Sequence, residues 1–201
     1  MITKMIKKIE EIIAERVVDN DMEYFENYKK VKGATEEEIQ AFEREFNVSL
    51  PDGIRELYRY KDGSSYPFEL LYTTYDEACQ GSFQLLSLAE IREIKALFFN
   101  ENKLMEECGD FLSSEDIASL DNRIKPFIRN KRWLPFAQLP GFDLYLMLDY
   151  DPAPKGALGQ IIIYVHDPDF IYYVRENISD ILQDTIRNLE NGWYEEVHGY
   201  E

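Results

Sequence analysis

The sequence predicts one α+β domain, in which a central, largely antiparallel mixed sheet is flanked by helices. Apolar residues recur at helical spacing through the first sixty residues and again near the C-terminus. Between these regions, β-branched and aromatic residues gather in short runs bounded by Gly, Pro and Asp. The runs do not alternate regularly with helical segments, as a doubly wound parallel sheet requires. A chain of 201 residues suits one domain, and a hydrophobic content of 45% is enough to fill its core.

Ile2, Met5, Ile6, Ile9, Ile12, Ile13 and Val17 share one helical face, with Lys and Glu opposite. Asp19, Asn20 and Asp21 end this helix, and a second short one is expected around Tyr24 and Tyr28. Gly33 breaks the pattern. Residues 1–30 are therefore predicted as an N-terminal helical arm and residues 31–197 as the main domain. Thr35-Glu36-Glu37-Glu38 has the form of a capping box, followed by the stripe Ile39, Phe42 and Phe46. Asn47 suits a left-handed helix end. Leu50-Pro51 opens the next short helix, with Ile54, Leu57 and Tyr58 inward, and Asp62-Gly63 stops it.

Residues 66–72 and 83–86 read as strands. Ser87-Leu88-Ala89-Glu90 is a second capping box, opening a helix that carries Ile91, Ile94, Leu97 and Phe98. Residues 100–131 are polar and weakly periodic, which predicts short helices and loop. Residues 133–137 are apolar but contain Pro135, which predicts an edge or bent strand. Residues 142–149, 161–165 and 170–174 form three strands close enough to pair as antiparallel hairpins. The Pro- and Gly-rich run from Asp151 to Gly159 is a loop. Ile178, Ile181, Leu182, Ile186 and Leu189 mark a last helix, stopped at Gly192.

The formal net charge is -17. Such a chain is a poor ligand for nucleic acid or an anionic membrane, both of which attract Lys and Arg. A basic protein partner is favoured, because opposite fields steer encounter. Cys79 and Cys108 form no metal-type cluster, which fits a reducing cytoplasm. Charges interrupt the apolar N-terminus, unlike a signal peptide, and no apolar run is long enough to span a membrane. The expected location is cytoplasmic.

His166 and His198 are the only histidines, and neither belongs to a zinc motif. There is no phosphate-binding Gly-rich loop and no nucleophile elbow. A Cys79 or Cys108 pairing with His166 is the one conceivable nucleophile, but a lone Cys is more often a small buried hydrophobe. Asp149 and Asp151 could converge on a cation from one strand face, although a hard cation wants more oxygens than two supply. Pro154 stands where a calcium loop of that pattern needs Gly. No catalytic, cofactor or metal residue is assigned. The candidate partner-binding residues are loop acids and nearby tyrosines: Asp62, Tyr72, Tyr75, Asp76, Glu77, Asp149, Tyr150 and Asp151.

Several motifs recur together in a fixed order. They are Gly33-Ala34-Thr35-Glu36-Glu37-Glu38-Ile39 with Phe42-Glu43, then Val48-Ser49-Leu50-Pro51 with Tyr58 and Asp62-Gly63. Leu85-Leu86-Ser87-Leu88-Ala89-Glu90-Ile91 and Trp133-Leu134-Pro135-Phe136-Ala137 come next. The last are Leu148-Asp149-Tyr150-Asp151-Pro152-Ala153-Pro154 and Leu189-Glu190-Asn191-Gly192. Over residues 33–194 the chain thus resembles the SUKH superfamily, of the Smi/Knr type. The first thirty residues lie outside the match, and residues 104–131 are longer and less regular than the pattern. The resemblance implies an α+β fold and a non-enzymatic role in binding, with no cofactor. Bacterial members of this superfamily are immunity proteins that neutralise toxins, and fungal relatives act in cell-wall regulation and signalling. The implied partner is a cognate toxin, and a basic nuclease toxin suits the charge.

Overall fold

The computed structural model describes residues 1–76, 79–109, 112–167 and 169–199, the side chain of Asp76 excepted. The helices are α1 (Ile2–Arg16), α2 (Met22–Lys30), α3 (Glu36–Phe46), α4 (Asp52–Tyr60), α5 (Leu88–Phe98), α6 (Ser114–Ser119), α7 (Ile178–Glu190) and α8 (Trp193–His198). The strands are β1 (Leu71–Asp76), β2 (Cys79–Leu85), β3 (Lys103–Leu104), β4 (Phe127–Arg129), β5 (Trp133–Gln138), β6 (Leu144–Asp149), β7 (Gln160–Val165) and β8 (Phe170–Arg175). Six strands form one sheet in the order β1-β2-β5-β6-β7-β8, and β3 pairs with β4 apart from it. Every pairing is antiparallel. The protein is an α+β single domain.

Local chemistry sets several helix ends. The Thr35 and Ser87 hydroxyls accept from the amides of Glu38 and Glu90, and both glutamates reach back to their caps. Asn47 closes α3 in the left-handed region, at φ 50. Gly192, at φ +91, separates α7 from the short α8, which the sequence pattern did not show.

Side chains alternate across the central strands, and both faces are buried. Leu146, Leu148, Ile161 and Ile163 point into the larger core with α1, α3, α4 and α7. Tyr145, Met147, Ile162 and Tyr164 point into a second core with Phe99, Met105, Cys108, Leu112, Ile124 and Ile128. Residues 100–109 and 112–131 therefore contribute to the cover of the second face. Each short element contributes one or two buried residues, which is why no period runs through the segment.

Two expectations shift and one alternative is decided. β1 begins at Leu71 rather than at residue 66, because the chain turns first, with Phe68 N donating to Ser65 O at 2.8 Å. Of the edge and bent alternatives, β5 takes the bent one, since it lies between β2 and β6. Pro135 is tolerated there because the register with β6 shifts between Pro135 and Ala137. The first thirty residues are helical, but they share the main core. Ile2, Ile6, Ile9 and Ile13 are buried against α7 and α4. Glu10 accepts from the Tyr28 and Tyr60 hydroxyls at 2.7 Å each, tying α1, α2 and α4 together.

The sheet's outer strand β1 is also closed to further pairing at its middle. Tyr72 N donates to Thr185 Oγ1 at 3.0 Å, and Asn188 Nδ2 donates to Tyr72 O at 2.9 Å, both from α7. The sheet coils enough to bring the Tyr75 ring within 6.3 Å of Tyr172 on β8.

Candidate partner-binding site

The sequence-picked residues do not form one surface. Tyr72 is buried beneath α8, where its hydroxyl meets His198 Nε2 at 3.0 Å and burial raises its pKa well above 10.0. Tyr150 is buried, donates to Ser49 O at 3.0 Å, and has its pKa raised by burial. Asp149 is fully buried. It accepts from Trp133 Nε1 at 3.0 Å, Gln160 Nε2 at 3.0 Å and Asp151 N at 2.8 Å. Burial raises its pKa against the pull of those hydrogen bonds. Asp62 is half-buried, accepts from Leu88 N at 2.8 Å, and is raised by burial. These four side chains hold the fold and do not reach outward as a group.

Asp151 is half-buried, bonded to Lys125 and to Asn130 Nδ2 at 3.0 Å. Burial pushes its pKa up, and those two partners outweigh it, so the carboxyl sits below its usual range. The Asp149 and Asp151 oxygens are thus occupied by separate donors and do not converge on one point. Among the described residues, no group of three His, Cys, Asp or Glu is placed to hold a metal. Tyr75 is half-buried beside Tyr172. Asp76 ends β1, opposite Cys79. Glu77 lies outside the described residues.

A different region collects exposed aromatic side chains. The β5–β6 hairpin turns through Pro140, Gly141 and Phe142, and Gly141 has φ +80, which favours glycine there. The turn is braced: Gln138 Nε2 donates to Phe142 O at 3.0 Å, and Tyr145 OH donates to Asp143 Oδ1 at 3.1 Å. Phe142 is held outward, 61% exposed.

A small pocket of about 150 Å³ lies on each side of this tip. Pro140 lines the first with Asp21, Tyr24, Glu69, Tyr194 and His198. Asp143 lines the second with Phe98, Arg129, Tyr145, Tyr164 and His166. Two further exposed rings line these pockets, Phe98 at 39% and Tyr24 at 40% exposure. Isolated exposed apolar residues are ordinary, but several around one stiff turn mark an interaction surface.

Each pocket contains one of the protein's two histidines, each held by carboxylate. His198 lies between Asp21 Oδ2 and Glu69 Oε2, at 3.0 Å from each, and stacks on Tyr194 at 4.4 Å. The Glu69 contact is an ion-pair distance without hydrogen-bond geometry, so that buried oxygen has no hydrogen-bond donor among the described residues.

His166 Nδ1 is 2.5 Å from Asp169 Oδ1, which also accepts from Tyr164 OH at 2.9 Å. The Asp169 hydrogen bond raises the His166 pKa above its usual value. The stabilisation by this pair is complete below the unfolded-state value of about 6.5 and is lost as pH rises through the folded one. NMR titration should give a His166 midpoint above that of free histidine, and Asp169→Asn should lower it. A midpoint at or below the ordinary value would contradict the ion pair.

The sequence reading missed this tip by assigning Phe142 to a strand. Pro140-Gly141 was the available signal, since that dipeptide marks a turn. Nothing in the sequence placed α5's end or the histidines beside it, because those neighbours are distant along the chain.

The sequence model of the SMI1 / KNR4 family (SUKH-1) matches residues 33–184. The chain is similar to the cell wall biosynthesis/cell cycle regulator smi1 of Schizosaccharomyces pombe, at 25% identity over 180 residues, covering 84% of this chain and 34% of that protein. It is also similar to KNR4/SMI1 homolog 2 of Debaryomyces hansenii, at 32% identity over 72 residues, covering 35% of this chain and 12% of that one. The chain spans only a minor part of either relative's length. Asp21, Tyr24, Tyr194 and His198, which line the first pocket, fall outside the family match. With most of its length matched, the chain belongs to the SMI1 / KNR4 family (SUKH-1).

Proposed function

We propose that this chain acts by binding a basic protein through the β5–β6 tip, as an immunity protein that neutralises a cognate toxin, with a nuclease toxin the best electrostatic fit. The observation that carries the binding reading is the exposed Phe142 at the tip, with Tyr24 and Phe98 lining the pockets beside it, in a chain of net charge -17. Aromatic side chains on a braced turn lose little entropy on docking, and they are the usual anchors of interfaces. Asp143 is exposed beside Phe142 and suits a partner rich in Lys and Arg. Binding of this kind needs no cofactor. The choice of a toxin rests on the charge and on the SUKH resemblance.

A second reading is a regulatory or scaffold role in a cell-wall or signalling assembly. The description of the fission-yeast relative as a cell wall biosynthesis/cell cycle regulator favours it. Among the described residues no helix is long and apolar enough to cross a membrane.

The test is affinity capture from the source organism at two salt concentrations, followed by co-expression with each protein retained. The immunity reading expects one tight basic partner whose toxicity is relieved by co-expression. Its association rate should fall on the order of tenfold as salt rises from low to moderate, because the encounter is steered by charge. Several cell-envelope partners and no toxin would favour the regulatory reading. A tight partner whose association ignores salt would count against the acidic surface as the steering element.

A further inference from the structure

Away from the tip, the surface carries a second built feature of opposite charge. A groove of about 500 Å³ runs between the end of α3 and the loop after β6, lined by Glu43, Arg44, Val48, Arg132, Tyr150 and Leu158. Among the described residues, Arg44 and Arg132 belong to no ion pair, whereas Arg55 and Arg59 on α4 and Arg92 on α5 are paired with glutamates. The one carboxylate in the groove is already satisfied: Glu43 Oε1 accepts from Leu50 N at 2.8 Å, and its other oxygen is bonded to Arg55. Asp151, which also feels Arg132, is held by Lys125 and Asn130.

The walls are fixed before any ligand arrives. Tyr150 OH is bonded to Ser49 O at 3.0 Å, Gly159 N donates to Asp149 O at 2.7 Å, and Arg132 donates to Asn47 O at 3.3 Å with its guanidinium 6.0 Å over the Tyr150 ring. Leu158 stands at the rim, 70% exposed. Arg44 in the last turn of α3 also suits the negative helix end. Arg132, from the turn before β5, donates to that same end through Asn47 O and opens into the same groove.

We propose that this groove holds an acidic, aliphatic-flanked segment of a protein partner, with a carboxylate on Arg44 and Arg132 and an aliphatic side chain on Leu158 and Val48. Guanidinium groups favour carboxylates through paired, charge-assisted hydrogen bonds. In a chain of net charge -17, two unpaired arginines in one preformed groove select for an acid locally while the overall field repels free anions. The proposal goes beyond the tip-binding reading, and each can fail alone because they use different residues.

The test is an NMR titration of the full ¹⁵N-labelled chain with an octapeptide alternating leucine and glutamate. The same peptide with lysine in place of glutamate, and inorganic phosphate, are the comparison arms. The expected result is saturable shifts at residues 40–50, 132 and 150–158 with the acidic peptide only. Arg44→Ser with Arg132→Gln should weaken that binding about tenfold or more. Because Arg44 is exposed, Arg44→Ser alone should keep the melting temperature and still weaken binding. No saturable shifts, shifts centred on the β5–β6 tip, equal binding of phosphate, or unchanged affinity in the folded Arg44→Ser protein would each overturn the proposal.

Discussion

Asp149→Ala is expected to lower the folding free energy by about 3–5 kcal/mol, read as a shift in the midpoint of urea unfolding. Three donors lose their acceptor at once: Trp133 Nε1, Gln160 Nε2 and Asp151 N. Gln160 cannot compensate by flipping, because its Oε1 accepts from Ala157 N at 3.0 Å and its Nε2 also donates to Arg123 O at 2.9 Å. Asp149→Asn should be milder, by about half, since one acceptor oxygen remains while the new amide faces a donor. Trp133 fluorescence should change in both variants, because the indole N–H loses or alters its partner. A loss below about 1 kcal/mol for Asp149→Ala would mean that the buried network is not the anchor of β5, β6 and β7.

Ile9→Ala should cost about 2–5 kcal/mol, as deletion of a buried aliphatic side chain does when the surroundings cannot collapse. Ile9 is fully buried in the main core, and α1 lies against α7 and α4. Deleting residues 1–30 should leave a chain that fails to unfold cooperatively, because the apolar side of α7 would face water. A fragment starting at residue 31 with a sharp, reversible melting transition would instead show that the N-terminal helices are an independent arm.

Much of the fold was readable where the chemistry is local. The caps at Thr35 and Ser87, the left-handed Asn47 and the stop at Gly192 each depend on a few adjacent residues. The β6–β7–β8 meander was readable because its strands are close in sequence. The place of β5 was not, since Pro135 suits an edge or a bent strand alike and only the paired strand reveals the register shift that decides between them. The second core was hidden for a different reason. Phe99, Met105, Cys108, Leu112, Ile124 and Ile128 come from separate short elements, so their common burial leaves no period in the sequence.

The candidate site was harder still. Tyr72 and Tyr150 are residues that interfaces often use, and their positions at strand ends suggested exposure, yet α8 and the α3–α4 connection cover them. An acid or a tyrosine carries the same sequence signal whether it braces the fold or meets a partner. The Phe142 tip was available from Pro140-Gly141, but its flanking pockets join residues as distant as Asp21 and His198.

The most direct test of the binding surface is the affinity of a captured partner for the wild-type chain and for Phe142→Asp combined with Phe98→Asp, measured by calorimetry at one salt concentration. Phe142 is 61% exposed, so Phe142→Asp alone should keep the wild-type melting temperature, and Phe98, 39% exposed beside Tyr145, makes the double variant's fold a control to be read in the same experiment. Loss of two anchors at the centre of the contact predicts an affinity lower by about 100-fold or more. Unchanged affinity in the folded double variant would contradict the assignment of the β5–β6 tip as the partner-binding surface.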